Sequence, residues 1–174
     1  MTTIAVIDTC VIQNFCNINR FDLFGNLKYF LFTTIYVELE ISNADTATKI
    51  KYESLISKEI IKKVSLTIQD LVQMSQIPES KKYSDAELSC IVKAKQLNSS
   101  ALTDDKRAIK FIRNYVDDVP IKGTKEILVE GYVQDYLNDN DLKELQDKLK
   151  EHKFHIKESL VFEAAALKLL GISN

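Results

Sequence analysis

A short apolar run that ends in an acid lies close to the start of the chain. The residues Ile4, Ala5, Val6 and Ile7 have the uncharged, partly β-branched character of a buried strand, and Asp8 follows them directly. Buried parallel strands are apolar almost throughout, and open α/β sheets bind their ligands at the carboxyl ends of such strands. Asp8 therefore either lies at a functional edge of a sheet or simply ends the strand and caps the next helix.

Segments with strand character alternate with helical segments along most of the chain. The predicted strands are 4–7, 29–32, an edge-like strand over 60–66, 101–103 and 119–121. Helices are predicted between them, the first over 10–15 and the last over 124–137, and two more helices follow at the C-terminus. This alternation is typical of α/β folds with a mostly parallel sheet and helices on both faces. We therefore predict a central sheet of about five strands plus C-terminal helices.

Composition favours one domain without a linker. Of the 174 residues, 45% are hydrophobic, and only 4 glycines and 2 prolines are present, which suits a globular chain with a sizeable core. We predict a single domain over 1–174, in which about 138–174 form a helical extension. The formal net charge of -2 argues against a surface that is basic throughout, but it allows a local basic patch or an acidic site that needs cations.

Cysteine usage and hydropathy favour a cytoplasmic protein. Cys10, Cys16 and Cys90 are odd in number and lack metal-ligand spacing, so we expect them to be reduced and in the core. The N-terminus lacks the features of a signal peptide, and no apolar run approaches the length of a membrane span. We therefore expect a cytoplasmic location and no association with a membrane.

Acidic residues follow two of the predicted strands. Asp8 follows the first strand, and Asp104 and Asp105 follow the fourth. If these strands are neighbours, their acids meet at the same end of the sheet. Two further acids lie on helices that are expected to pack over that end, Glu40 near the end of one helix and Asp85 at the first position of another.

Four carboxylates in one pocket are unfavourable without a partner of opposite charge. At about 5 Å and an effective dielectric constant of ~20, each pair of like charges costs roughly 3 kcal/mol. Such a cluster either takes up protons or binds hard divalent cations, and Mg²⁺ and Mn²⁺ prefer oxygen ligands. A pair of such ions can activate water and stabilise the leaving oxygen in phosphodiester cleavage.

Four segments of the chain resemble the acidic motifs of the PIN-domain superfamily, and they occur in the family's order. They are IAVIDTCVI at 4–12, VELEI at 37–41, SDAELSCIVKA at 84–94 and LTDDKRA at 102–108. The continuation VPIKGTKEIL at 119–128 resembles the branch related to VapC-like toxins. The resemblance implies a three-layer α/β/α sandwich and a Mg²⁺- or Mn²⁺-dependent endonuclease that acts mostly on RNA. It also implies an antitoxin protein as a partner and a homodimer.

The resemblance assigns the metal-ligand positions to four acids. They are Asp8, Glu40, Asp85 and Asp105. Thr9 and Thr103 are the hydroxyl residues that would orient these acids or a metal-bound water.

Three of these assignments have a neighbouring alternative. The alternatives are Glu38 for Glu40, Glu87 for Asp85, and Asp104 in place of Asp105 or together with it. Glu87 also completes a capping box with Ser84, which is a sufficient structural role for it.

Basic residues near the acidic motifs are candidates for phosphate contacts. Lys106, Lys110 and Arg113 follow the acidic pair at spacings that can share one helix face, and Lys81 and Lys82 precede Asp85. For most of the residues after the acidic pair an ordinary solvated helix face is the favoured explanation, and Lys81 and Lys82 are the better candidates.

The sequence favours a metal-dependent endoribonuclease, and the resemblance adds the role of the toxin in a toxin–antitoxin pair. The alternative is a PIN-like scaffold that no longer cuts and instead binds RNA or a protein partner, because retained acids can also be structural. Thermal stabilisation by metal ions would discriminate between these two hypotheses. The nuclease hypothesis fails if replacing Asp8 with Asn leaves cleavage intact.

Overall fold

Five parallel strands form the central sheet. The computed structural model describes residues 2–115 and 119–171, and its strands are β1 (Thr3–Ile7), β2 (Tyr29–Thr33), β3 (Ile61–Lys63), β4 (Ser100–Leu102) and β5 (Ile121–Lys122). Their order is β3-β2-β1-β4-β5, and all neighbours pair in parallel. Because β2 and β3 lie on one side of β1 and β4 and β5 on the other, the winding reverses between β1 and β4, where open α/β sheets bind ligands.

The register of β1 and β4 brings their carboxyl ends together. Ile7 lies opposite Leu102, and the backbone N–H of Asp8 donates to the Leu102 carbonyl oxygen at 2.9 Å. Asp8 and Thr103 therefore follow adjacent strands side by side. The condition stated above for the two acidic segments, that the first and fourth strands are neighbours, is met.

Helices flank the sheet on both faces. They are α1 (Thr9–Ile18), α2 (Asp22–Asn26), α3 (Ile35–Ser42), α4 (Thr46–Ser57), α5 (Ile68–Gln76), α6 (Asp85–Gln96), α7 (Lys106–Tyr115), α8 (Thr124–Val133), α9 (Asp139–Glu151) and α10 (Leu160–Leu169). Helix α6 packs on β1 and β4, and α3 and α5 pack against α6. Helix α1 packs against α8 and α9, and α10 packs against α8 and α9 as well. The result is the predicted three-layer α/β/α arrangement.

Some element boundaries differ from the prediction. The first helix continues to Ile18 instead of ending at 15, because Cys16 and Ile18 are buried and Asn19 then ends it in the left-handed conformation (φ 55). The helix predicted over 124–137 ends at Val133, and Asp135 adopts a positive φ of 64 shortly after it. The third strand is shorter than 60–66.

The C-terminal helices share the main hydrophobic core. Leu142, Leu145 and Leu149 of α9 and Leu160 of α10 are buried in the same cluster as the strand residues. The predicted extension over 138–174 thus packs on the sandwich as far as it is described, and 172–174 lie outside the described residues. Within the described ranges, no helix is both long enough and apolar enough to cross a membrane.

Candidate active site

Asp8 lies at the end of β1 with its carboxylate almost fully buried. Its Oδ1 accepts from the backbone N–H of Thr9 at 2.8 Å, which makes it the N-cap of α1. Its Oδ2 accepts from the Thr103 hydroxyl at 3.0 Å and from the Cys10 thiol at 3.2 Å. The capping contact and the contacts with Thr103 and Cys10 therefore use different oxygens of one carboxylate.

The buried position of Asp8 makes its negative charge costly. Burial raises the pKa of the carboxyl above its ordinary value, although hydrogen bonds from Cys10, Thr9 and Thr103 oppose that rise. The charge of Glu40 raises the pKa further. A bound cation is the kind of partner that would offset both effects.

Glu40 on α3 is the second acid of the site. The Thr9 hydroxyl donates to its Oε2 at 2.7 Å, so Thr9 links the start of α1 to the carboxylate of α3. The sequence alternative, Glu38, instead forms an ion pair with Lys63 of the edge strand β3. Of the two glutamates, Glu40 is the one that lines the same pocket as Asp8.

Asp105 follows β4 and begins α7. Its Oδ1 accepts from the backbone N–H groups of Arg107 at 2.7 Å and Ala108 at 3.0 Å. Burial acts to raise the pKa of Asp105, but the hydrogen bonds from Ala108 and Arg107 outweigh it and lower the pKa below its ordinary value. Asp105 is therefore ionised and lines the pocket beside Asp8.

Asp104 points away from the pocket and ties three elements together. Its carboxylate accepts from the Asn14 amide at 2.9 Å, and from the backbone N–H and the hydroxyl of Thr124 at 2.8 and 2.5 Å. Gly123 is required beside it, because a Cβ there would lie 2.4 Å from the Asp104 Oδ1. The backbone N–H of Asp104 donates to the Cys10 sulfur at 3.2 Å. These contacts describe a positioning role for Asp104 in the loop that carries Thr103 and Asp105.

The structure brings Glu87, not Asp85, to the other acids. Asp85 is exposed and lines a separate depression with Tyr36 and Lys81, whereas Glu87 lines the pocket of Asp8. Residues two positions apart on an α-helix are about 200° apart around its axis, so these side chains point to opposite sides. The expected position of Asp85 over the strand ends is thereby corrected.

Glu87 has both a structural contact and an electrostatic one. It completes the predicted capping box, since its Oε2 accepts from the backbone N–H of Ser84 at 2.8 Å. Burial raises the pKa of Glu87, the Ser84 hydrogen bond opposes this, and the charges of Asp105 and Asp8 raise it again. The sequence favoured a purely structural role for Glu87. The capping box alone, however, does not exclude a functional role.

These acids surround an open pocket of about 400 Å³ at the carboxyl edge of the sheet. Its lining residues are Asp8, Thr9, Cys10, Gln13, Glu40, Asn43, Ala44, Ser84, Glu87 and Asp105. Sequence reasoning did not assign Cys10, Gln13, Asn43 or Ser84 to the site. Of these residues, only Gln13 could have been placed from the sequence. The helix begins directly after Asp8, and Gln13 lies about one turn after Thr9 on the same face.

The donor set of this pocket fits a hard divalent cation. Four carboxylates offer oxygen ligands only, which suits Mg²⁺ or Mn²⁺. In the described part of the chain, no three His, Cys, Asp or Glu side chains form a ready-made metal site. Mg²⁺ is usually held by one or two carboxylates together with water and substrate phosphate, so binding of such an ion does not require a ready-made set of three protein ligands.

The candidate phosphate-contacting cations occupy different places. Lys82 and Lys110 line a second cavity next to the acidic pocket, and Lys81 lies with Asp85 in the separate depression. Lys106 and Arg113 are exposed on α7. The structure therefore separates the five basic residues that the sequence grouped together.

Comparison with known proteins identifies the family. A family model described as PIN domain matches residues 4–170, and the chain belongs to the PIN-domain family. A solved structure titled "Structure of the PIN domain endonuclease Utp24" is similar in fold, with a TM-score of 0.51 and 18% sequence identity over 69% of this chain and 84% of that chain. At this identity the likeness shows the shared fold. No curated protein matches this sequence.

Proposed function

We propose that this protein is a metal-dependent endonuclease that hydrolyses phosphodiester bonds in RNA. The observation that carries the proposal is the convergence of Asp8, Glu40, Glu87 and Asp105, from four separate elements, on one open pocket. Membership of the PIN-domain family supports a nuclease-type function in general. The raised pKa values of Asp8 and Glu87 support a site whose carboxylates gain from a bound cation.

In this proposal the carboxylates hold Mg²⁺ or Mn²⁺, which supplies Lewis-acid stabilisation of the phosphate oxygens. Asp8, Glu40 and Asp105 are proposed as ligands, with Glu87 in place of Asp85. The Thr9 hydroxyl fixes Glu40, and the Thr103 hydroxyl fixes Asp8 through the hydrogen bonds already described. Together these residues orient a water molecule for in-line attack on the scissile phosphorus.

Cys10 lines the pocket but is unsuited to act as the nucleophile. Burial raises the pKa of its thiol well above the ordinary value, and the charge of Asp8 raises it further. The thiol therefore stays protonated at neutral pH, and only a thiolate is an effective nucleophile. Its hydrogen bond to the Asp8 Oδ2 gives it a positioning role instead. Because the thiol stays protonated, the proposed attacking group is a water molecule.

Cleavage of a mixed RNA pool and of a matched single-stranded DNA tests the proposed function. We expect cutting of RNA with Mg²⁺ or Mn²⁺ and none in EDTA. A cation that binds only the folded protein also raises the melting temperature, because it adds its binding free energy to the native state. Cutting in EDTA would contradict the metal dependence. A folded protein that neither cuts nor gains stability from either ion would instead be the non-cutting scaffold.

The choice between the two acids of α6 has its own test. We expect Glu87→Gln to lower the cleavage rate at least about 10-fold, because replacing even a group that only supports a metal ligand costs about 10- to 100-fold. Glutamine preserves the capping box, so the helix start is retained. Asp85→Asn, whose side chain lies outside the pocket, should change the rate less than about twofold on the scale of ordinary surface substitutions. The reverse ranking in the same assay would restore Asp85 as the ligand.

The finer biological assignments rest on the resemblance alone. The VapC-like segment at 119–128 is the basis for proposing a toxin role, an antitoxin partner and a homodimer. A cytoplasmic location stays a prediction from the sequence.

A further inference from the structure

A second cavity of about 570 Å³ adjoins the acidic pocket. Its wall includes one face of α7, formed by Arg107, Lys110, Phe111 and Asn114 at spacings of three, four and seven residues. The other wall comes from the segment 79–83 before α6. We call this cavity the α7 groove.

The α7 groove borders the site of the acids. The Arg107 guanidinium lies 3.6 Å from the Asp105 carboxylate, so this side chain contacts the groove on one side and the acidic pocket on the other. Tyr83 lines the groove, and the next residue, Ser84, lines the pocket. A chain that lies in the groove is therefore next to the acidic pocket.

The charge of the groove is opposite to that of the pocket. Lys82, Arg107 and Lys110 are its cations, and Glu79 is its acid, which pairs with Lys82 at 2.7 Å. Among the described residues that line the groove, three positive groups stand against one negative group, and one of the three, Arg107, is also paired with Asp105 of the acidic pocket. The excess of cations among these lining residues suits a polyanion whose backbone approaches the acids.

An aromatic side chain completes the groove. The ring of Tyr83 is half-buried and packs on the buried ring of Phe111, with 4.9 Å between the centroids. The contact holds the Tyr83 ring in place at the wall. A fixed aromatic ring beside a row of cations is the combination that binds single strands, because bases stack on the ring while phosphates contact the cations.

We propose that the α7 groove binds the backbone of single-stranded nucleic acid next to the phosphate that is cleaved. The proposal rests on the proposed function and adds the path of the substrate, with phosphate contacts from Lys82, Lys110 and Arg107. Lys106 and Arg113, at other positions around α7, lie outside this path.

Binding of a fluorescent single-stranded RNA in EDTA tests the proposal without cleavage. The parent protein carries Asp8→Asn, and the test variant adds Lys82→Gln and Lys110→Gln. Arg107 is left unchanged because it also contacts Asp105. At ~0.1 M salt, two lost phosphate contacts predict about 25-fold weaker binding, and the slope of log K against log salt becomes shallower by about 1.4.

Two matched variants of equal charge separate the groove from a general charge effect. Lys143→Gln with Lys150→Gln removes two exposed charges of α9 and should bind as the parent does. Lys106→Gln with Arg113→Gln removes two from α7 and should lose less than the groove variant. An equal loss in all three, a preference for duplex over single strand, or no binding by the parent would overturn the proposal. Binding through the groove by a wild-type protein that does not cut would leave the groove intact and overturn the proposed nuclease.

Discussion

Asp8→Asn is expected to lower metal-dependent RNA cleavage at least about 100-fold while leaving the protein as stable as the wild type or more stable. A metal held by this carboxylate stabilises the transition state by several kcal/mol, and each 1.36 kcal/mol corresponds to about a tenfold change in rate. A loss of cleavage without a loss of stability distinguishes the loss of a metal ligand from misfolding. Initial rates and melting temperatures of the two proteins measure both effects.

The stability part of this prediction follows from the pKa of Asp8. Burial raises that pKa in the folded protein above the value in the unfolded chain. The folded state therefore binds more protons, and its stability decreases as the pH rises through the interval between the two pKa values. The wild type takes on this cost as its carboxyl ionises, whereas asparagine has no charge to bury. The Thr103 hydroxyl can rotate to accept from the new amide, which keeps that contact.

Two controls make the Asp8 result specific. Asp147→Asn changes an exposed aspartate on α9 and should leave both cleavage and melting temperature unchanged. Addition of Mg²⁺ or Mn²⁺ should raise the melting temperature of the wild type more than that of Asp8→Asn, because the variant has lost a ligand. Full cleavage by Asp8→Asn would contradict the proposed role, and a large drop in its melting temperature would contradict the account of the buried charge.

The part of the site that lies at the ends of β1 and β4 could be predicted from the sequence. An apolar run ending in Asp8 and a second strand ending at Thr103 suffice to place two acidic segments at one sheet edge, once those strands are neighbours. The three-layer fold followed from the alternation of strands and helices in the same way. Both inferences depend on local patterns of a few residues.

The rotation of α6 could not be predicted from the sequence. Its capping box marks where the helix begins, but every residue from Ala86 to Ala94 is buried. A helix buried on all sides has no polar stripe to indicate which side faces the pocket. The sequence of α6 therefore could not show whether Asp85 or Glu87 faces the pocket.

The choice between Asp104 and Asp105 depends on contacts that are distant in sequence. Asp104 is held by Asn14 and by Thr124, which are 90 and 20 residues away from it. Asp105 is held by the first turn of its own helix. Two adjacent carboxylates look alike in the sequence, and only the packing of α1 and α8 against the loop assigns them different roles.

Asp70→Asn is expected to destabilise the protein by about 3–5 kcal/mol, the cost of breaking a buried ion pair from one side. Asp70 of α5 and Lys93 of α6 are 1% and 3% exposed, with 2.7 Å between the carboxylate and the ammonium group. Asparagine is nearly the same size, so the variant leaves Lys93 buried without its counter-charge. Lys93 keeps a hydrogen bond to the Gln96 side chain, which cannot replace the lost charge. Urea unfolding at neutral pH measures the difference.

The ion pair between Asp70 and Lys93 also determines how the stability difference between the wild type and Asp70→Asn should depend on pH. Burial opposes ionisation of Asp70, but the hydrogen bond from Lys93 and those from Thr67 outweigh it and lower the pKa below its ordinary value. A carboxyl whose pKa is lower in the folded state contributes stability above its unfolded pKa of about 3.9. That contribution disappears as the pH falls through the folded pKa, so the gap between wild type and variant should narrow in acid. An unchanged gap at low pH would contradict this origin of the stability.

An exposed ion pair provides the matched comparison for Asp70. Lys148 and Glu144 lie one turn apart on α9, with side chains 45% and 66% exposed. Glu144→Gln should cost less than about 0.5 kcal/mol, because water already solvates both charges and salt screens them. If Asp70→Asn costs no more than Glu144→Gln, then water reaches the Asp70–Lys93 pair and α5 does not seal against α6. A large difference means that this contact holds α6, and with it Glu87, in place over the strand ends.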